Sequence, residues 1–187
     1  SGFYLAMIAI LLALILRPVG FTFRGKVSDH RWREVWDWAL FVGGFVPALI
    51  FGVAVGNAFL GVPFQIDETQ RITYAGNFFG LLTPFALLAG LVSLAMLVTQ
   101  GATIIAKRSD GMVAERARAY GRVSALATLV LFIICGLAMM TLVPGYRITS
   151  AIDMAGPSNP LTKTVGVESG AWLANYGLHP WTMSAPI

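Results

Sequence analysis

Few residues in this chain could move protons across a membrane, so each can be considered in turn. A proton or ion pump usually carries an acid or a base within the membrane, together with a partner. The nearest candidates are Arg17, at the end of the first apolar run, and Asp37, at the mouth of the second. Arg17 either snorkels to the membrane surface, as arginines at helix ends usually do, or lines a cytoplasmic proton route or pairs with an acid elsewhere. Position alone favours the first interpretation.

Side chains that could ligate a metal or a haem are equally scarce. Haem within a membrane requires His, Met or Cys on a helix that faces the interior of the bundle. The two histidines, His30 and His179, fall in predicted loops, and the methionines and Cys135 form no paired-ligand pattern. The sequence therefore predicts no metal site and no redox centre on this chain. Cys135 is interpreted as a small apolar residue of a helix.

The composition indicates an integral membrane protein. Of the 187 residues, 57% are hydrophobic and only 12% are charged, about half of the charged fraction of a soluble domain. The net charge of +4 and the pI near 9.6 would suggest nucleic acid as a partner if the chain were soluble. Here the positive charges flank apolar runs, so we attribute them to membrane topology and predict no nucleic-acid partner.

The apolar runs predict an all-α fold, a polytopic transmembrane helical bundle that forms a single membrane domain over residues 1–187. The predicted spans are about 2–16, 36–60, 78–106 and 123–143. The first is too short to cross a core of about 30 Å, so we expect the sequence to begin inside a membrane helix and to be an internal piece of a longer protein. Arg17-Pro18 should end this span, because proline disfavours the α conformation of the preceding residue.

The distribution of Lys and Arg predicts which side of the membrane each loop occupies. The loops at 17–35 and 107–122 hold five Lys/Arg each, whereas those at 61–77 and 144–180 hold one and two. Loops rich in Lys and Arg stay on the cytoplasmic side of bacterial membranes. The first pair of loops is therefore predicted to be cytoplasmic and the second pair periplasmic.

Two further features lie in and near the second span. Gly52 and Gly56 form a small-xxx-small face, which predicts that a neighbouring helix approaches closely there. Trp32, Trp36 and Trp38 precede or begin the span. An aromatic belt at the membrane surface explains these tryptophans, and a quinone ring could also stack near such a belt, although their spacing does not require one.

Several blocks of the sequence resemble, in the same order, subunit II of the cytochrome bd ubiquinol oxidases. They cover essentially the whole chain and include LRPVGFTFRGK, RWREVWDWALFVGGFVPALIFGVAVGNAFLGVPF, YAGNFFGLLTPFALLAG, TQGAT, SNPLTK and ESGAWLANY. The resemblance implies that the four spans are the third to the sixth of a nine-helix subunit.

The resemblance also implies a function and partners. It points to a haem-free partner subunit that forms a heterodimer with subunit I in the bacterial inner membrane. The implied complex oxidises quinol, reduces dioxygen to water, and generates a proton-motive force with protons taken from the cytoplasm. Haems b558, b595 and d are implied on subunit I. A structural quinone in subunit II and a small accessory subunit are features of some members.

Site residues can be transferred from the family at only one position. The arginine of the RPVGF block corresponds to Arg17, for which the resemblance implies a place on the proton path. Some relatives carry an aspartate directly after this block, where this sequence has Thr22. The aspartate-containing WDGN-type motif of the family does not occur in this sequence.

Two other functions remain open from the sequence. A secondary transporter is suggested by spans that Gly and Pro interrupt, as at Gly43–Pro47 and Thr83–Pro84, but neither an inverted repeat nor a polar midplane site accompanies them. A purely structural or assembly subunit of a membrane complex cannot be distinguished from an oxidase subunit by sequence.

Overall fold

The fold consists mainly of four long helices. The computed structural model describes residues 3–67, 69, 71–77, 79–151, 156, 163–168 and 170–184. The long helices are α1 (Tyr4–Phe23), α2 (His30–Leu60), α3 (Pro84–Arg108) and α4 (Gly111–Leu142). Each is long and apolar enough to cross a membrane, so the predicted polytopic helical membrane bundle is confirmed.

Helix α1 continues beyond the predicted end of the first span. It passes through Arg17-Pro18 and ends at Phe23, so the prediction that this dipeptide ends the helix was wrong. Proline in a helix interior costs one backbone hydrogen bond, but the last turn is held by packing against α2. There Gly20 lies against Leu40 and the ring of Phe23 stacks on Trp36. Tertiary contacts outweigh the local preference at this position.

Helix α4 also begins earlier than predicted, at Gly111 rather than at 123. Most of the predicted 107–122 loop is therefore helical, because its Ala, Arg, Glu and Met residues are good helix formers. The charge-free part of α4, Val123–Leu142, matches the predicted span and reaches about 30 Å. Hydropathy thus located the apolar part of α4. The first three turns of α4 are charged and precede that apolar part.

The other two long helices differ from the predicted spans at their beginnings. Helix α2 begins at His30, where the Asp29 carboxylate caps the helix by accepting a hydrogen bond from the Arg31 amide. Helix α3 begins at Pro84 rather than at 78, and the Thr83 hydroxyl accepts a bond from the Ala86 amide. A short 3₁₀ turn, Phe79–Leu81, precedes it.

The segments between the helices contain short strands that the all-α prediction did not include. Strands β1 (Phe64–Ile66) and β2 (Ile72–Tyr74) pair antiparallel, as do β3 (Gly145–Ile148) and β4 (Val165–Glu168). A further short helix, α5 (Ala171–Leu178), follows β4. The Tyr146 hydroxyl donates to the Leu60 carbonyl, 3.1 Å away, and so attaches the second hairpin to the end of α2.

Small residues hold the long helices together. Each long helix packs mainly against the next one along the chain. The buried positions are mostly Gly and Ala: Ala6, Ala13, Gly20, Gly43, Ala48, Gly52, Gly56, Ala86, Gly90, Ala102, Ala114 and Ala117. Such residues let helix backbones approach closely where hydrophobic burial cannot drive association within lipid.

One buried side-chain amide forms a hydrogen bond that joins two elements. Asn57 is 3% exposed, and its Nδ2 donates to the carbonyls of Val53 and Leu81, each 2.8 Å away. The second bond joins α2 to the 3₁₀ turn that leads into α3. A hydrogen bond of this kind fixes the turn in a part of the bundle that otherwise offers few polar contacts.

The membrane orientation stays a prediction, which labelling of intact cells can test. In a Cys135→Ala background, a membrane-impermeant maleimide should label Thr69→Cys but not Met112→Cys. Position 69 lies in the turn between β1 and β2, predicted to be periplasmic, and Met112 lies at the predicted cytoplasmic end of α4. Both residues are exposed, so permeabilised cells should label both variants. The reverse pattern in intact cells would invert the topology.

Candidate functional site at the α1–α2 seam

Helices α1 and α2 pack against each other along a contact that we call the α1–α2 seam. An ion pair closes this seam at the end nearest the turn between the two helices. Arg24, at the end of α1, donates to both carboxylate oxygens of Asp37 on α2, at 2.5 and 3.1 Å. The Asp37 carboxylate raises the pKa of Arg24 above its ordinary value by accepting these hydrogen bonds. Both side chains are about half exposed. Asp37, which the sequence marked as one of two candidate intramembrane charges, is therefore engaged with a cation at the mouth of the seam.

Aromatic residues fix the turn beside this ion pair. The Trp32 Nε1 donates to the Phe23 carbonyl, 2.8 Å away, and Trp36 stacks on the Phe23 ring at 5.6 Å between centroids. Lys26 places its ammonium 5.0 Å from the centre of the same ring. Trp38 differs, since 67% of it is exposed. Trp32 and Trp36 thus hold the turn together, whereas the exposed ring of Trp38 is typical of an interfacial belt.

Arg17 lies in the same seam, closer to the middle of the two helices. Its Cγ would be only 2.9 Å from a Cβ placed on Gly43, and its Nη2 would be 3.7 Å from a Cβ placed on Gly44. The arginine side chain therefore runs across α2 over a surface that two adjacent glycines leave open. Among the residues that the structure describes, Arg17 forms no ion pair.

The position of Arg17 differs from that of a residue at a helix end. Six further residues of α1 follow it, and Arg24 lies roughly 10 Å farther along the helix axis. Helical side chains lean towards the N-terminus of their helix, and the contact with Gly44 lies on that side, away from the loop. A guanidinium is thus held about 10 Å inward of the Arg24–Asp37 pair.

The predicted packing glycines lie at the next seam. A Cβ on Gly52 would be 2.6 Å from the Ala89 carbonyl oxygen and 2.6 Å from the Gly90 Cα, and one on Gly56 would be 2.7 Å from the Ala86 Cα. Sequence reasoning missed the corresponding role of Gly43. The only signal for it was the adjacent pair of glycines, because nothing in the sequence showed that α1 would present Arg17 to them.

His30, Met7, Met96 and Met140 do not fit as ligands of a haem. A haem would need an axial His, Met or Cys that faces the interior of the bundle. The side chain of His30 is 87% exposed and lies 3.2 Å from Glu34, and Met7, Met96 and Met140 are all about half exposed. No group of three His, Cys, Asp or Glu that could hold a metal ion occurs in the described part of the chain.

Trp32 and Trp36 do not fit as hydrogen-bond donors to a quinone. A quinone carbonyl needs a hydrogen-bond donor that a ligand can reach. The Trp36 Nε1 has no partner among the described residues, but it is fully covered by protein, and the Trp32 Nε1 is already bonded to Phe23. No step of chemistry is therefore assigned to a cofactor on these residues.

Comparison with known proteins identifies the family. Residues 1–183 match the family described as cytochrome bd terminal oxidase subunit II. The chain is 50% identical over 186 residues, its whole length, to the cytochrome bd-I ubiquinol oxidase subunit 2 of Escherichia coli K12, of which it covers 49%.

Two relatives from other bacteria support the same family assignment. A probable cytochrome oxidase subunit 2 of Haemophilus influenzae is 48% identical over 180 residues, which is 96% of this chain and 47% of the relative. The cytochrome bd ubiquinol oxidase subunit 2 of Bacillus subtilis is 32% identical over 118 residues, 63% of this chain and 34% of the relative. The chain spans about half the length of its more similar relatives. It belongs to the cytochrome bd terminal oxidase subunit II family.

Proposed function

We propose that this chain is part of the haem-free partner subunit of a quinol-oxidising terminal oxidase in the bacterial inner membrane. The observation that supports this most strongly is the match to the subunit II family along 183 residues. The first-named relative is a ubiquinol oxidase subunit. On this proposal the complex couples quinol oxidation to the reduction of dioxygen to water, and haems b558, b595 and d are held by subunit I.

The exposure of several described side chains is compatible with haems held by subunit I. Met7, Met96 and Met140 are about half exposed and His30 is 87% exposed, whereas an axial haem ligand faces the interior of the bundle. The contribution of this chain is then structural and electrostatic. It supplies apolar helices for the heterodimer and fixed charges near its predicted cytoplasmic side.

Arg17 is the residue that we assign to the proton path. It is exposed on this chain and is held on α2 by the open surface of Gly43 and Gly44. A cation within a membrane protein requires a counter-charge or water, and the described residues give it no acid. We infer that Arg17 faces an acid or a water chain formed with subunit I or with another segment of subunit II.

The Arg24–Asp37 pair fits the cytoplasmic mouth of such a route. A carboxylate paired with a guanidinium at the surface stays ionised, so a proton that reaches it is released again and is not trapped. The guanidinium of Arg17, about 10 Å farther in, then keeps a nearby acid ionised until a proton reaches it. Protons consumed in oxygen reduction would be drawn from the cytoplasm along this seam, which generates a proton-motive force without a pump.

A reduced-minus-oxidised visible spectrum of the purified complex that contains this chain tests the proposal. We expect bands of haem d and of b-type haems, together with subunit I in the mass spectrum of the same sample. A sample that contains subunit I in equal amount but shows no haem d band would contradict the proposal. Retained oxidase activity with normal haem content after deletion of this chain would instead support a purely structural role.

A further inference from the structure

A groove runs along the surface between α3 and α4, far in sequence from the α1–α2 seam that contains Arg17. It has two adjacent sections with volumes of about 290 and 450 Å³, and Thr99 and Ala125 line both. Small residues create it, since Ala102, Gly121 and Ala125 leave space where larger side chains would meet. The proposed function makes no use of this groove.

One end of the groove is cationic. Arg118 and Arg122 line the smaller section, and neither forms an ion pair with any described residue. Arg122 is the last charged residue before the 20 charge-free residues Val123–Leu142. It therefore lies at the boundary between the charged and apolar parts of α4, where the head groups of a bilayer would be.

The other end is apolar and open. Met96, Leu129 and Phe132 line the larger section, and they are 53%, 56% and 66% exposed. This section extends from the boundary towards the middle of the charge-free part of α4. Its apolar lining suits a hydrocarbon chain that lies parallel to the helices.

Hydroxyl groups between the two ends are already satisfied. Thr99 Oγ1 lies 3.0 Å from Ser124 Oγ and 3.3 Å from Thr128 Oγ1, and Thr128 donates to the Ser124 carbonyl at 2.8 Å. The bonds of Thr99 join α3 to α4, and together these contacts satisfy the hydroxyls of Thr99, Ser124 and Thr128 in the middle of the groove. What the groove requires is an anion at one end and an apolar chain at the other.

We propose that the α3–α4 groove holds an anionic phospholipid, with its phosphate on Arg118 and Arg122 and an acyl chain along Met96, Leu129 and Phe132. Basic pockets between membrane helices at the cytoplasmic side bind anionic head groups. A second apolar helix in the groove would cover the larger section, but it would match the cationic end only if it also carried an acid beside Arg118 and Arg122. An anionic phospholipid matches both ends of the groove at once, so we commit to the lipid as the occupant.

Binding of defined lipids to the purified complex tests this site. We measure how strongly the complex prefers phosphatidylglycerol to phosphatidylcholine by native mass spectrometry. Each basic residue near an anionic surface contributes about fivefold, so Arg118→Gln with Arg122→Gln should lower the preference roughly 30-fold. The matched control removes the same charge from the other predicted cytoplasmic segment, by Arg31→Gln with Arg33→Gln, and should lower the preference far less because the phosphate is held by Arg118 and Arg122. Both pairs are exposed, so folding should survive in each.

The occupant itself can be captured from the groove. A diazirine amino acid in place of Met96, activated by light in membranes, should give an adduct with the mass of a phospholipid. An adduct with a peptide of the complex would show that a protein helix fills the groove and would overturn the proposal. An unchanged lipid preference in the Arg118/Arg122 variant, or an equal loss in the Arg31/Arg33 control, would overturn it as well.

Discussion

Replacing Gly52 by leucine is expected to prevent most of the complex from assembling. The first added carbon would lie 2.6 Å from the Ala89 carbonyl oxygen and from the Gly90 Cα. These are backbone atoms, so α2 and α3 must move apart, because no side chain can rotate out of the way. Overpacking costs about 1–3 kcal/mol and occasionally more, and we expect the upper part of that range here.

Separation of α2 from α3 would break further contacts at the same seam. The Ser93 hydroxyl donates to the Ala48 carbonyl at 2.9 Å, and Asn57 donates to the Leu81 carbonyl. Both bonds require the helices to remain at their present distance. A loss of 1–2 kcal/mol already changes the amount of a protein in cells several-fold. We therefore expect the yield of haem-containing complex to fall about tenfold or more.

Two glycines in the other membrane helices provide the control. A Cβ on Gly101 in α3 or on Gly136 in α4 would meet nothing within 4 Å. Gly101→Leu and Gly136→Leu add the same side chain to the same kind of helix, so each should assemble at near wild-type yield. Equal losses in all three variants would show that leucine at any of these positions disturbs assembly and that the α2–α3 contact is not special.

The contrast between Gly52 and Gly101 shows what the sequence could reveal. The spacing of Gly52 and Gly56 predicted a close helix contact, and the structure places both against α3. Apolar runs likewise identified four membrane helices, because length and hydropathy are local properties. The ends of the helices were less predictable. Pro18 lies inside α1 because contacts with α2 hold the turn that follows it, and those contacts are not local.

The α1–α2 seam at the candidate site shows the same limit, because contacts between residues far apart in sequence could not be predicted. The sequence selected Arg17 as a charged residue next to an apolar run, and the family resemblance added a role. It could not show that Gly43 and Gly44 would lie opposite this arginine, since the residues are far apart in sequence. Nor could it place Asp37 on Arg24, because that pairing depends on how the turn between α1 and α2 closes.

On the proposed function, Arg17→Ala is expected to lower quinol oxidase turnover per haem d more than it lowers assembly of the complex. A guanidinium beside an acid lowers the pKa of that acid by about 1–3 units. Its removal lets the acid hold its proton more tightly, so proton transfer should slow by about tenfold or more. Assembly should change little, because the arginine crosses an open surface of two glycines and bonds to no described acid.

Two further variants separate a proton path from a membrane anchor. Arg31→Ala removes an exposed charge from the same predicted side and should leave turnover per haem d unchanged. Arg17→Lys keeps the charge but loses the planar guanidinium that reaches Gly44, and should restore part of the turnover. If Arg17→Ala turns over at the wild-type rate per haem d, then Arg17 only anchors α1 at the membrane. The seam would in that case contribute to packing alone, since the only acid that the structure places there, Asp37, is already paired with Arg24.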